Sequence, residues 1–148
     1  MGQLPKGRVL GVDAGTVRTG LALSDTDGFL ASVLCTVKAN GIRALAAEIK
    51  NKAEEHNVRL IVIGHPINMN GTIGVRAQHC EEFAKQLEIA LGNIPVVLWD
   101  ERSTTVSAIG FLNATDTRGK KRKAVIDTVA ATIILENYLN YRKNHREE

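Results

Sequence analysis

Three short, almost wholly apolar runs punctuate a chain of 148 residues: RVLGVD at 8–13, RLIVIG at 59–64 and IPVVLW at 94–99. Runs of this length and uniformity suit strands buried on both faces. Amphipathic stretches separate them. After Gly41, Ile42, Leu45, Ala46 and Ile49 recur at helical spacing through IRALAAEIKNKAEEHN, and VRAQHCEEFAKQLEIAL at 75–91 reads as a second helix that Thr72 can cap. The first run is followed by RTGLALS at 18–24 and FLASVLCTV at 29–37, which bracket Asp27-Gly28, a dipeptide suited to a tight hairpin. The spacing therefore predicts three antiparallel strands, then helix, strand, helix, strand and a closing helical region. That order describes an α/β domain with a mixed five-stranded sheet and helical crossovers. Ser103 or Thr104 can cap a short helix through TVSAIGFL, NATDTRG reads as a loop, and a last helix is expected over about 121–142.

The length fits one domain spanning 1–148, with 44% apolar and 24% charged residues sufficient for a packed core. No run approaches the roughly 20 apolar residues that cross a bilayer, and the start carries no secretory pattern, so a cytoplasmic protein with no membrane partner is expected. Cys35 and Cys80 lack the paired spacing of a zinc site or disulfide framework and read as small, buried or half-buried side chains. A net charge of +3 does not by itself specify a nucleic-acid partner. Its distribution is more informative, because RGKKRK at 118–123 places five positive charges in six positions while 81–101 is net acidic.

Sites in open α/β sheets form outside the carboxyl ends of strands. Asp13 ends the first run there, and Glu101 follows the last with one residue between. Alternation sends Asp100 and Glu101 to opposite sides, which favours Glu101. Asp127 shares a helical stripe with Ala131, Ile134 and Tyr138, so its carboxylate leans toward an apolar face and needs compensation there. Oxygen-only clusters of this kind suit magnesium or manganese, and two such ions can drive phosphodiester hydrolysis. From residues alone, other readings stay open. Asp13 also suits a turn before Gly15, Glu101 a surface pair with Arg102 or Lys143, and Asp127 an acid near a helix start.

Four motifs in order bear on that choice: DAGTVRTGLA at 13–22, GHPINMNG at 64–71 with RAQ at 76–78, DERSTT at 100–105, and KKRKAVIDTVAA at 120–131. Together they resemble the YqgF/RuvX family over about residues 7–142. Members have an RNase H-like fold and are described as Holliday junction resolvases and as the nuclease that matures the 5′ end of 16S ribosomal RNA. The resemblance implies a metal-dependent endonuclease with Asp13, Glu101 and Asp127 as catalytic, metal-holding triad and Mg2+ or Mn2+ as cofactor. It implies nucleic acid as partner, either pre-rRNA on the small-subunit precursor or branched DNA, and leaves monomer and homodimer open. A nucleic-acid-binding assembly factor with weak or no catalysis is the alternative. A third class, an actin-like ATPase or sugar kinase, also uses D-x-G-T but closes two such lobes around its nucleotide.

Supporting residues follow from the same motifs. Gly15 permits the close turn after Asp13, and Arg18 offers its fork of donors to a phosphate. Asn68 and Gly71 border the cleft, and Arg76 and Arg102 serve either as phosphate contacts or as ion-pair partners. Lys120, Lys121, Arg122 and Lys123 attract a nucleic-acid backbone without reading its sequence. Two positions depart from the family pattern: Val17, where lysine is common, and His65, where leucine is common.

Overall fold

The computed structural model describes residues 7–15, 17–101 and 119–145, with side chains over 128–143 in the last stretch. Among them are strands β1 (Arg8–Ala14), β2 (Arg18–Ser24), β3 (Ala31–Lys38), β4 (Val58–His65) and β5 (Val96–Asp100). Helices α1 (Ile42–Glu55), α2 (Val75–Leu91) and α3 (Gly119–His145) complete the described elements. The sheet runs β3-β2-β1-β4-β5. β1, β2 and β3 pair antiparallel, while β4 lies parallel to β1 and β5 parallel to β4. The expected mixed α/β sheet is the observed one.

Side-chain alternation divides β1 between two cores. Leu10, Val12 and Ala14 join Ile61 and Ile63 of β4 and pack against Leu45 and Ile49 of α1 and Phe83 and Leu87 of α2. Val9 joins Ala22, Leu60 and Val62 against Ala131, Ile134, Leu135, Tyr138 and Leu139 of α3. Gly11 belongs to this second face: a Cβ there would sit 2.8 Å from Leu135 Cβ and 3.0 Å from the Ala131 carbonyl oxygen. The helix therefore lies closer to the strand than any side chain permits. Arg142 reaches to within 3.4 Å of where a Cβ on Gly28 would be, beside the Gly7 carbonyl. With Ala131 near Gly11 and Arg142 near the start of β1, α3 runs antiparallel to β1, and its N-terminal half heads toward the carboxyl edge of the sheet.

Several boundaries differ from the sequence expectation. The β2–β3 connection is a six-residue loop, 25–30, rather than a two-residue hairpin. Asp25 organises it, its carboxylate accepting the Phe29 and Leu30 N–H groups at 2.8 and 3.2 Å, which lowers its pKa; Gly28 supplies the positive φ of +74°. Phe29 and Leu30 thus belong to the turn and not to β3. Thr72 does not cap α2. Its hydroxyl and N–H both donate to Asn70 Oδ1, and Gly74 occupies the N-cap with no side-chain bond. β5 spans Val96–Asp100, so Glu101 follows it directly, and α3 begins at Gly119, two residues before the expected start, with Lys120–Lys123 in its first turns. The expected 105–112 helix, with Ser103 and Thr104, and all but the last residue of the expected 113–119 loop lie outside the described residues. Among those described, no helix is long and apolar enough to cross a membrane.

Candidate active site at the carboxyl edge of the sheet

Because β1, β4 and β5 are parallel neighbours, Ala14, His65 and Asp100 finish at one edge. Antiparallel pairing brings the start of β2 and the end of β3 to the same edge, where Arg18 is opposite Lys38. Alternation along β1 sets Asp13 with Val9 and Gly11 on the α3 face, and Asp13 is buried, at 8% exposure. A Cβ on Gly15 would collide with the Arg18 carbonyl oxygen, so the turn returning to β2 closes this tightly only with glycine. The close turn expected at Gly15 is present. Val17, at the same turn, is exposed.

Glu101 reaches the same face from β5. Its carboxylate lies over Gly64, whose added Cβ would come within 2.7 Å of Glu101 Oε2 and 2.5 Å of Ile134 Cδ1. Gly64 is thus the floor on which the acid rests, between the Asp13 strand and β5. Nothing local in the sequence marks that role, although the glycine stands inside the GHPINMNG motif. Burial pushes the Glu101 carboxyl above its usual range; the Arg76 and His65 charges oppose the shift, and Asp100 adds to it. The alternative surface pairing with Lys143 does not occur, since Lys143 sits over the Phe29 ring, 5.4 Å from its centroid. Arg102 lies outside the described residues.

Asp127 lies in α3 one turn before Ala131. Four helical residues advance about 6 Å, and two strand residues about 6.6 Å. With Ala131 level with Gly11, position 127 is level with Asp13. The side chains of Asp127, Lys120, Lys121, Arg122 and Lys123 lie outside those described.

Arg76, at the start of α2, donates from Nη2 to Asp13 Oδ1 at 3.4 Å, across 63 positions of sequence. Of the two roles open to Arg76, the structure displays the ion pair. The His65 side chain is 12% exposed and meets Glu81 Oε2 of α2 at 2.8 Å, which clamps the end of β4 to α2. Beside it the 66–74 loop is self-bonded: Asn68 N–H donates to the Thr72 carbonyl, Gly71 N–H to the Asn68 carbonyl, and Gly71 holds a φ of +88°. Asn68 Nδ2 also donates to Thr72 Oγ1 at 2.9 Å, so Asn68 and Gly71 shape the border of the edge. Cys80, buried behind Arg76, has its thiol pushed up to about 11 by burial and stays protonated. Sequence reasoning missed Lys38, Gly64 and the His65–Glu81 pair; each becomes visible only through strand register or helix packing.

The donor chemistry fits a hard divalent cation: two carboxylates, one buried and one resting on a glycine. Among the described residues no three His, Cys, Asp or Glu side chains converge as a metal site, and the third carboxylate of the expected triad is outside them.

The RuvX family, described as Holliday junction resolvase, matches residues 7–141. A Bacillus subtilis relative named "Putative pre-16S rRNA nuclease" is 45% identical over 90% of this chain and 97% of its own length. The chain belongs to the RuvX family. A Carboxydothermus hydrogenoformans relative of the same name is 44% identical, covering 93% of this chain and 99% of its own. Among solved structures, Thermus thermophilus RuvC in complex with Holliday junction substrate shares the fold at a TM-score of 0.58 and 12% identity, over 93% of this chain and 96% of that one. The RNase H-like architecture implied by the motifs is therefore the architecture of this RuvX chain.

Proposed function

We propose that this RuvX chain acts, as one cytoplasmic domain, as a divalent-metal-dependent endonuclease on structured nucleic acid, with 5′-end maturation of pre-16S rRNA as its role. The observation that carries the reading is the placement of Asp13, in β1, and Glu101, just after β5, at the carboxyl edge of the sheet on its α3 face, flanking Gly64 of the strand between them. The names of its close relatives supply the substrate.

Asp13, Glu101 and Asp127 would hold magnesium or manganese, which when bound would supply an activated water and charge stabilisation at the leaving oxygen. The chain's own residues do the rest. Gly64 and Ile134 hold the Glu101 carboxylate in place, and Gly15 fixes the turn that presents Asp13. Arg18, Arg76, Arg102 and Lys38 contact phosphates, and Lys120, Lys121, Arg122 and Lys123 hold the flanking backbone with a strong salt dependence. Asn68 and Gly71 wall the cleft.

The test is cleavage of a 16S rRNA precursor and a four-way DNA junction, side by side, with Mg2+ or Mn2+. Wild type is expected to cut the precursor, and Asp13→Asn to lose on the order of a thousandfold in rate. Equal rates for the two proteins would remove Asp13 from the reaction, and exclusive cutting of the junction would reassign the substrate.

A further inference from the structure

Arg76 stands in an unusual relation to the two described acids. Its guanidinium meets Asp13 at 3.4 Å, and it is the foremost opposing charge on Glu101. One arginine thus pairs with Asp13 and sends its charge toward Glu101, from a helix that otherwise packs on the opposite face of the sheet. The Asp13 side chain is 11% exposed, whereas that of Arg76 is 55% exposed. One end of the pair is fixed in the fold and the other is free to leave it. A guanidinium and a divalent cation bound to the same carboxylates compete, because both draw on the same negative charge and oxygen lone pairs.

We propose that Arg76 is a displaceable counter-charge: it and the divalent cation take turns on the Asp13–Glu101 carboxylates, and the arginine released by the cation turns to a phosphate of the nucleic acid. The proposal rests on the reading of these acids as a cation site. Displacement has a thermodynamic signature. The cation, by freeing Arg76, strengthens nucleic-acid binding, and by linkage the nucleic acid strengthens cation binding equally. Removing Arg76 therefore tightens the cation alone but weakens the coupling between the two ligands. A residue that merely braced α2 against β1 would produce neither effect in that combination.

The experiment titrates Mn2+ into the full chain and follows free Mn2+ by electron paramagnetic resonance. Arg76→Gln is expected to bind Mn2+ about fivefold tighter than wild type, the scale of a part-exposed ion pair. Arg76→Ala, read the same way, guards against a fault of one substitution. Lys85→Gln, on an exposed position of the same helix, removes an equal charge and is expected to leave Mn2+ affinity unchanged. A second titration uses a phosphorothioate-protected precursor fragment, with and without Mn2+; the affinity gain on adding Mn2+ should shrink about threefold or more in Arg76→Gln. Unchanged or weaker Mn2+ binding in both Arg76 variants, or equal tightening in Lys85→Gln, would overturn the proposal. Wild-type Mn2+ affinity in Asp13→Asn would instead overturn the cation-site reading beneath it.

Discussion

On the α1–α2 face, β1 contributes Leu10, Val12 and Ala14 to a continuous apolar core that extends through Phe83 and Leu87. On the α3 face the same strand contributes Val9, Gly11 and Asp13, and β4 contributes Leu60, Val62 and Gly64 beside them. Among the described residues the first face is filled by apolar side chains and carries no carboxylate in its core, its one buried thiol, Cys80, being held protonated. The second is thinned by glycines so that α3 lies on the backbone, and it ends in carboxylates. Volume is conserved on one side to hold the sheet; on the other it is surrendered to set acids at defined positions. On the proposed reading, stability and chemistry are thus separated by side-chain alternation within single strands, although both faces share the same backbone.

The separation can be broken first on the packing side. Phe83 is fully buried. Phe83→Ala should cost about 3–5 kcal/mol in a urea denaturation, while the folded fraction cleaves at close to the wild-type rate. A proportionate loss of activity per folded molecule would mean that the faces are not independent. Gly11→Ala adds one methyl group, yet it meets Leu135 Cβ at 2.8 Å and helix backbone at 3.0 Å. It should cost about 1–3 kcal/mol by the same measurement, because a backbone oxygen cannot turn aside. A loss near zero would show that α3 does not depend on close approach to β1.

The smallest expected effect has the opposite sign. Burial raises the Glu101 pKa in the folded chain above its unfolded value, so ionised Glu101 opposes folding, and its contribution worsens as pH rises through the carboxylate range. Glu101→Gln should therefore melt higher than wild type at pH 7 in EDTA. Screening by the solvent the carboxyl still meets keeps the gain to about 1 kcal/mol or less. The difference should fade below about pH 4, where glutamate is protonated in both states. A lower melting temperature at pH 7 would contradict the account of the acid as a strained, functional group.

Much of this was legible from local pattern. The apolar runs marked β1, β4 and β5, because strands buried on both faces have no alternation to hide, and period two sent Asp100 and Glu101 to opposite sides. What escaped depended on contacts between distant segments. Arg76 finds Asp13 across 63 residues, and His65 finds Glu81 only because α2 folds back along β4. The Thr72 cap failed for a local reason: Asn70, two residues away, captured the hydroxyl first. The short hairpin failed because Asp25 offered two backbone donors a better acceptor than a two-residue turn provides. Gly64 looked like any strand glycine until a carboxylate was found resting on it.

The central claim is that a third carboxylate, at position 127, completes the pair formed by Asp13 and Glu101. It is tested most directly by the Mg2+-dependent cleavage rate of Asp127→Asn on the 16S rRNA precursor, with folding verified by circular dichroism. A loss on the order of 100- to 1000-fold with the fold intact is the result the account predicts. A folded Asp127→Asn that cleaves at the wild-type rate would contradict it.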